Sequence, residues 1–369
     1  MKIGALIASY NQDDWDRVLA NDYSRPPATP DCRMVEDALA LGALVEPLGY
    51  DSLWTTEHYG SPYSMQPNPL QWLAYWAGRT QRVDLGSAVV VAPWWNPVRL
   101  AAELSMLDNL LQGRRLLIGL GRGISEHEYG SLGVPRDKSR EIFHEVVDIL
   151  RLADTREEFS YDGEHFKVPP TSTRPQARHR GALLDDARCA FTTHGSATQA
   201  AEKGLGQLFV AGEPLDVMKQ RVEMYNGIRA EHGMPPDRPI VLLWMHCAKS
   251  RARIDKARHH HRLQGQASSN HYFKWKTSGF DGVKGYEAYA QMQKRLESKQ
   301  GAPQTDHAPG AVLFGSPQEI LDVIGAYKEA LGTEYLVLHA SYGGMPLAEA
   351  QASLELFASE VLPVVHKGL

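Results

Sequence analysis

The chain has 369 residues, 43% of them hydrophobic and 22% charged, with a formal charge of −5. This is ordinary globular composition, and the mild acidity argues against a nucleic-acid partner. No run approaches the roughly 18 apolar residues that cross a bilayer, the N-terminal apolar run is too short for a secretory signal, and Cys32, Cys189 and Cys247 form no disulfide or metal pattern, so a cytoplasmic protein is expected.

Residues 3–9 (IGALIAS) read as a short buried strand. A polar loop follows, in which Pro26, Pro27 and Pro30 exclude a helix interior. Asp31 is placed to cap a helix over 32–47, whose apolar residues recur at three and four, and Gly49 ends it. Strand two is read at 51–58, followed by a helix near 68–79. Residues 83–93 are apolar on both faces, as suits a parallel strand covered on both sides. A helix over 97–111, strand four at 115–121 and a helix over 137–152 lead to a polar, proline-rich excursion at 154–187. Strand five is read at 189–194, a helix at 196–203, strand six at 208–212, a helix at 214–232 and strand seven at 240–248. Segment 249–311 reads as an insertion over the barrel mouth, within one domain spanning 1–369. A helix over 317–331, strand eight at 335–341 and a last helix at 346–365 complete the pattern. Eight strands, each before a helix, predict the α/β class and a (β/α)8 (TIM) barrel rather than an open sheet.

Active sites of such barrels lie at the C-terminal strand ends. That rule selects Ser9, Tyr10, Glu57, His58, Ala92 to Trp95, Gly121 to Gly123, Thr192 to His194, Ala211, Gly212, His246 and His339 to Tyr342. The set is aromatic and small, and it lacks the ligand density of a metal hydrolase. A wide pocket with few polar groups suits a flat cofactor and an organic substrate. GLGRG (119–123) is not a dinucleotide fingerprint; it reads either as a tight turn or as a strand end where Arg122 meets an anion. Thr193 and Ser196 sit where a strand gives way to a helix, as caps or as part of an anion site. Adjacent strand residues point to opposite faces, so a Glu57–His58 contact requires the strand to have ended. The triple His259-His260-His261 reads as solvated surface.

The block EDALALGALVEPLGYDSLWTTEHYG (36–60) resembles the signature of the bacterial-luciferase-like flavin-dependent monooxygenases, E-A-x-x-A-E-x-L-G-[FY]-D-x-x-W-x-x-E-H-H. The resemblance continues through 73–123 and returns at 314–324 and 338–365. It implies a (β/α)8 barrel, His58 after Glu57 as the catalytic pair, and Arg122 and Arg140 on a flavin phosphate. It also implies phosphate-facing hydroxyls at Thr193 and Ser196, with Thr192 beside them, and a cis peptide at Ala88-Val89 beneath the flavin. Gly121 stands where some members carry a reactive cysteine, Tyr59 replaces the second histidine of E-H-H, and RHRGALLDDARCAF (178–191) replaces the usual approach to strand five.

The implied cofactor is FMN, bound as FMNH2. The resemblance implies that O2 would add at flavin C4a as a peroxide, that one oxygen atom would pass to a small organic substrate and the other leave as water, and that His58 would move the proton. No pyridine-nucleotide domain is visible, so the implied partner is a separate NAD(P)H:flavin reductase, and the family habit is a homodimer through the helices after strands two and three. Trp54, Trp94, Trp95 and Tyr342 are expected to form an aromatic mouth that excludes water. An F420-dependent oxidoreductase on the same barrel and a non-catalytic flavin-binding or partner subunit remain alternatives. No metal, membrane or nucleic acid is expected.

Overall fold

The computed structural model describes residues 1–191, 193–209, 214–274, 279–298 and 312–369. Its strands are β1 (Lys2–Leu6), β2 (Ser52–Thr55), β3 (Asp84–Val91), β4 (Leu116–Gly121), β5 (Phe159–Asp162), β6 (Lys167–Thr171), β7 (Arg188–Cys189), β8 (Gly206–Phe209), β9 (Ile240–Cys247), β10 (Val312–Gly315) and β11 (Tyr335–His339). The helices are α1 (Trp15–Leu19), α2 (Asp31–Val45), α3 (Pro69–Ala77), α4 (Pro97–Leu110), α5 (Glu126–Leu132), α6 (Ser139–Thr155), α7 (His194–Glu202), α8 (Leu215–Glu231), α9 (Arg251–Ser269), α10 (Glu287–Ser298), α11 (Pro317–Leu331), α12 (Leu347–Glu360) and α13 (Leu362–His366).

The parallel strands run β9-β11-β1-β2-β3-β4-β7-β8, and β8 pairs again with β9, closing the expected (β/α)8 barrel. Both strand faces are buried. Ile3, Leu53, Leu85, Ile118 and Leu336 pack outward against the helices, while Leu6, Trp54, Leu117, Leu208, Leu242, Tyr335 and Val337 fill the interior. Trp54 dictates its neighbours. A Cβ at Gly4 would lie 2.7 Å from its Nε1, and one at Gly86 would lie 2.4 Å from its ring. Its Nε1 donates to Ser52 Oγ at 2.7 Å. Trp54 therefore plugs the barrel and is no part of the mouth.

Other differences from the sequence reading have local causes. Asp31 lies inside the first turn of α2 and accepts from Asn11 Nδ2 at 2.7 Å, so Pro30 takes the cap position. Strand five shrinks to two residues, although Ala190 N–H still donates to Leu120 O. Residues 210–212 of the expected strand six lie outside the described residues. The 154–187 excursion contains the antiparallel hairpin β5–β6, hidden by Pro169 and Pro170, residues that strands usually exclude. Glu145 of α6 holds its turn by accepting from the N–H groups of Glu164, His165 and Phe166. β10, also unforeseen, lies along the C-terminal half of β9. Among the described residues no helix is long and apolar enough to cross a membrane.

Candidate active site

β2 ends at Thr55, so Glu57 and His58 lie in the following loop and diverge. Glu57 is buried and turns toward β3. It accepts from Val91 N–H at 2.6 Å, Trp95 Nε1 at 2.9 Å and the Tyr59 hydroxyl at 3.1 Å. Burial pushes its carboxyl up to about 8, against the opposing pull of these three donors. Glu57 ties the His58 loop to the end of β3, and Trp95 is consumed in that tie.

The carboxylate that meets His58 is Glu128, in the first turn of α5. His58 Nδ1 lies 3.1 Å from Glu128 Oε1, which also accepts from Tyr59 N–H at 2.8 Å. His58 Nε2 lies 3.2 Å from the Tyr272 hydroxyl. Glu128 serves a second imidazole: His271 Nε2 is 3.2 Å from Oε2, and His271 Nδ1 is 2.8 Å from Ser61 Oγ. Burial alone would raise Glu128, but His58 and His271 outweigh it and hold the group near 2. An ionised Glu128 accepts from a protonated Nδ1 of His58, which leaves Nε2, facing the Tyr272 hydroxyl, as the side that exchanges a proton. Tyr63 stacks on His271 at 5.0 Å and meets His58 edge-on at 4.9 Å, walling the pair from water.

The second pole is cationic. Arg122 follows β4, and Arg140 opens α6. A Cβ on Gly285 would lie 2.6 Å from Arg140 Nη2 and 3.1 Å from Arg122 Nη1, so both guanidinium groups border one point. Arg122 Nη1, Arg140 Nε and Arg136 Nη1 are buried without hydrogen-bond partners among the described residues. Arg122 Nη2 donates to Gly285 O at 2.9 Å, and Tyr286 lies under its guanidinium at 4.8 Å. Cations at a helix N-terminus oppose the dipole, so placing Arg136, Lys138 and Arg140 at the start of α6 favours an anion there. The glycines of GLGRG serve packing. A Cβ at Gly119 would strike Ser87 O at 2.2 Å, and one at Gly121 would strike Val89 at 2.5 Å. The peptide between Ala88 and Val89 is cis.

β7 lies beside β4, and α7 follows it. Thr193 caps α7 by accepting from Ser196 N–H at 3.3 Å, and its hydroxyl donates to Ser196 Oγ at 3.0 Å. Thr192, Ala211 and Gly212 lie outside the described residues.

At the ends of β9 and β11, His339 stacks on Trp244 at 4.0 Å, and its Nε2 lies 2.8 Å from the Tyr10 hydroxyl. Burial pushes His339 down to about 3, which keeps it neutral. Tyr342, expected at the mouth, is buried against Trp244 and Phe314. The histidine triple is not uniform surface: His260 Nδ1 pairs with Gly343 O at 2.9 Å, and His261 is buried against Trp244 and Phe314. An apolar recess between β9, β10 and α9 draws that third histidine inward.

Sequence reasoning missed Glu128, His271 and Tyr272. Glu128 carries a recoverable signal, an acidic residue six positions beyond Arg122 at a C-terminal strand end. His271 and Tyr272 lie in the segment after α9, where no periodicity marks a residue that returns to the barrel.

The comparisons with known proteins agree with this architecture. The family description of luciferase-like monooxygenases matches residues 20–334. An alkanal monooxygenase alpha chain of the Kryptophanaron alfredi symbiont is 27% identical over 93% of this chain and 96% of its own length. The oxygenase component of a flavin-dependent trigonelline monooxygenase of Acinetobacter baylyi is 25% identical over 90% of each chain. The crystal structure of monooxygenase RslO1 from Streptomyces bottropensis superposes with a TM-score of 0.77 at 24% identity, covering 99% of both chains, and shares the fold. With that match running through both the His58–Glu128 pole and the arginine pole, the chain belongs to the luciferase-like monooxygenase family.

Proposed function

We propose that the chain is an FMN-dependent monooxygenase that receives reduced FMN from a separate NAD(P)H:flavin reductase and places one atom of O2 in a small organic substrate. The observation that carries the cofactor choice is the convergence of Arg122 and Arg140 on one point, with buried N–H groups of both left unpaired. Forked guanidinium donors fit a terminal phosphate, and the pair would hold it together with Thr193 and Ser196, and with Thr192. Two relatives support the oxygenase reading through their names: an alkanal monooxygenase and the oxygenase component of a flavin-dependent enzyme.

The bound flavin supplies the oxygen-activating chemistry. The chain's own work is proton handling and exclusion of water. Glu128 holds His58 through Nδ1, so Nε2 donates or accepts a proton toward the pocket. Glu57 fixes the loop that presents His58. Tyr63 and Tyr272 enclose the imidazole. Segment 249–311 completes the same domain as a cover over the mouth; Gly285 and Tyr286 already lie against Arg122. A homodimer through α3 and α4 belongs to the same reading, supported by Tyr75, Met106 and Leu110, which these helices expose.

Anaerobic titration of the purified chain with reduced FMN and, separately, with reduced F420 tests the cofactor. Saturable FMN binding is expected, with F420 much weaker. Binding of F420 alone would overturn the proposal.

A further inference from the structure

Three groups from distant segments meet over the C-terminal end of β2: His58 after β2, Glu128 in α5 and His271 after α9. Each offers one ligand atom, and these atoms lie within 4.8 Å of one another. We propose that His58 Nδ1, the Glu128 carboxylate and His271 Nε2 form a binding site for a divalent transition-metal ion of the zinc type. Two imidazoles and one carboxylate are a recurrent ligand set for such ions.

The geometry favours this beyond mere proximity. Bonds of about 2.1 Å to a tetrahedral ion set ligand atoms about 3.4 Å apart. Each imidazole already meets one oxygen of the carboxylate, His58 Nδ1 at 3.1 Å from Oε1 and His271 Nε2 at 3.2 Å from Oε2. With one ligand atom from each residue the spread is at most 4.8 Å, so side-chain rotation of about an ångström closes the set on an ion. Glu128 Oε2 and His271 Nε2 are both buried and face each other at 3.2 Å, with no other polar partner among the described residues. A divalent ion would take the place of the proton between them and satisfy both the imidazole nitrogen and the carboxylate oxygen.

The outer partners are also those of a metal site. Ligating imidazoles usually engage a hydrogen-bond partner through the other ring nitrogen. His271 Nδ1 meets Ser61 Oγ, His58 Nε2 meets the Tyr272 hydroxyl, and Tyr59 N–H donates to Glu128 Oε1. A bound ion would tie residues 270–274 to the barrel and withhold His58 Nδ1 from protons. The site rests on the three ligand groups alone and not on the FMN reading.

Equilibrium dialysis of the full, flavin-free chain against Zn2+ tests the site, with the visible absorbance of a Co2+ substitute reporting coordination. One equivalent bound is expected, with a tetrahedral Co2+ spectrum. His271→Ala and Glu128→Gln should each weaken binding about 100-fold or more. Ser61→Ala, which touches no ligand atom of the ion, should weaken it about tenfold. His259→Ala, on the exposed side of α9, should change nothing. Circular dichroism verifies folding, and Ser61→Ala keeps the test open if a ligand variant unfolds. Absence of stoichiometric Zn2+, or binding that survives His271→Ala and Glu128→Gln, would overturn the proposal. Neither flavin nor oxygen enters the assay, so its failure leaves the FMN reading standing.

Discussion

β2 and β3 pair over four consecutive positions, Ser52 to Thr55 against Asp84 to Ser87, while β7 keeps register with β4 and β8 at only two, Arg188 and Cys189, with one backbone hydrogen bond on either side. The early strands are locked by Trp54 and the glycines that admit it. The loops they launch carry Glu57, His58, Arg122 and Glu128. The later half reaches the same site by segments rather than strands: the turn at 270–274 delivers His271 and Tyr272, and Gly285 and Tyr286 meet Arg122. One half presents His58 from loops tied to paired strands, and the other reaches the same imidazole through Tyr272 and His271 from a segment after α9. The difference predicts where damage is global and where it is local.

The largest effect is expected in the strand-tied half, at Glu57. Its carboxyl is raised to about 8 by burial, so the fold favours the neutral form. That contribution is complete below the ordinary carboxylate range and is lost as pH rises through about 8, at a cost on the order of a few kcal/mol. Urea unfolding between about pH 5 and pH 9 should show wild type weakening with rising pH and Glu57→Gln losing that dependence. Equal slopes would show that Glu57 does not act as a buried acid. Glu128 has the opposite sign. Held near 2, it stabilises above the ordinary range and loses this only in strong acid.

At the boundary between the halves, Arg122→Ala should weaken reduced-FMN binding roughly 10- to 100-fold, the value of a charge-assisted hydrogen bond or two. Circular dichroism and unfolding should change little. If FMN affinity is unaltered, the phosphate seat is elsewhere. The smallest effect compares two neighbours in α9. His261→Ala should destabilise by about 1–3 kcal/mol, whereas His259→Ala should stay within about 0.5 kcal/mol. Equal values would return the histidine triple to plain surface.

The same division explains what the sequence made legible. Continuous apolar runs at β3, β4 and β9 mark strands covered on both faces, and the strand-end rule includes His58 and Arg122 among its positions, while their proposed roles rest on the resemblance. CAFTTH has strand-like residues throughout, yet paired register with both neighbours ends at Cys189 and only the Ala190 N–H bond to Leu120 O continues it. A Glu57–His58 contact needs β2 to have ended, and it has, yet the two side chains diverge because Glu57 is drawn to the end of β3 and His58 to α5. The true partner, Glu128, is 70 residues away in sequence. His271 and Tyr272 are held by tertiary contact alone, which no local pattern encodes.

The central claim, that His58 handles the proton in an FMN-dependent oxygenase, is tested most directly by rapid mixing. The chain loaded anaerobically with reduced FMN is mixed with O2, and the return of oxidised-flavin absorbance is followed across pH in wild type and His58→Ala. The account predicts a proton-dependent phase slowed by roughly 100-fold or more in His58→Ala, the scale of a general acid–base contribution, with reduced-FMN affinity changed far less. Identical traces for the two proteins at every pH would contradict it.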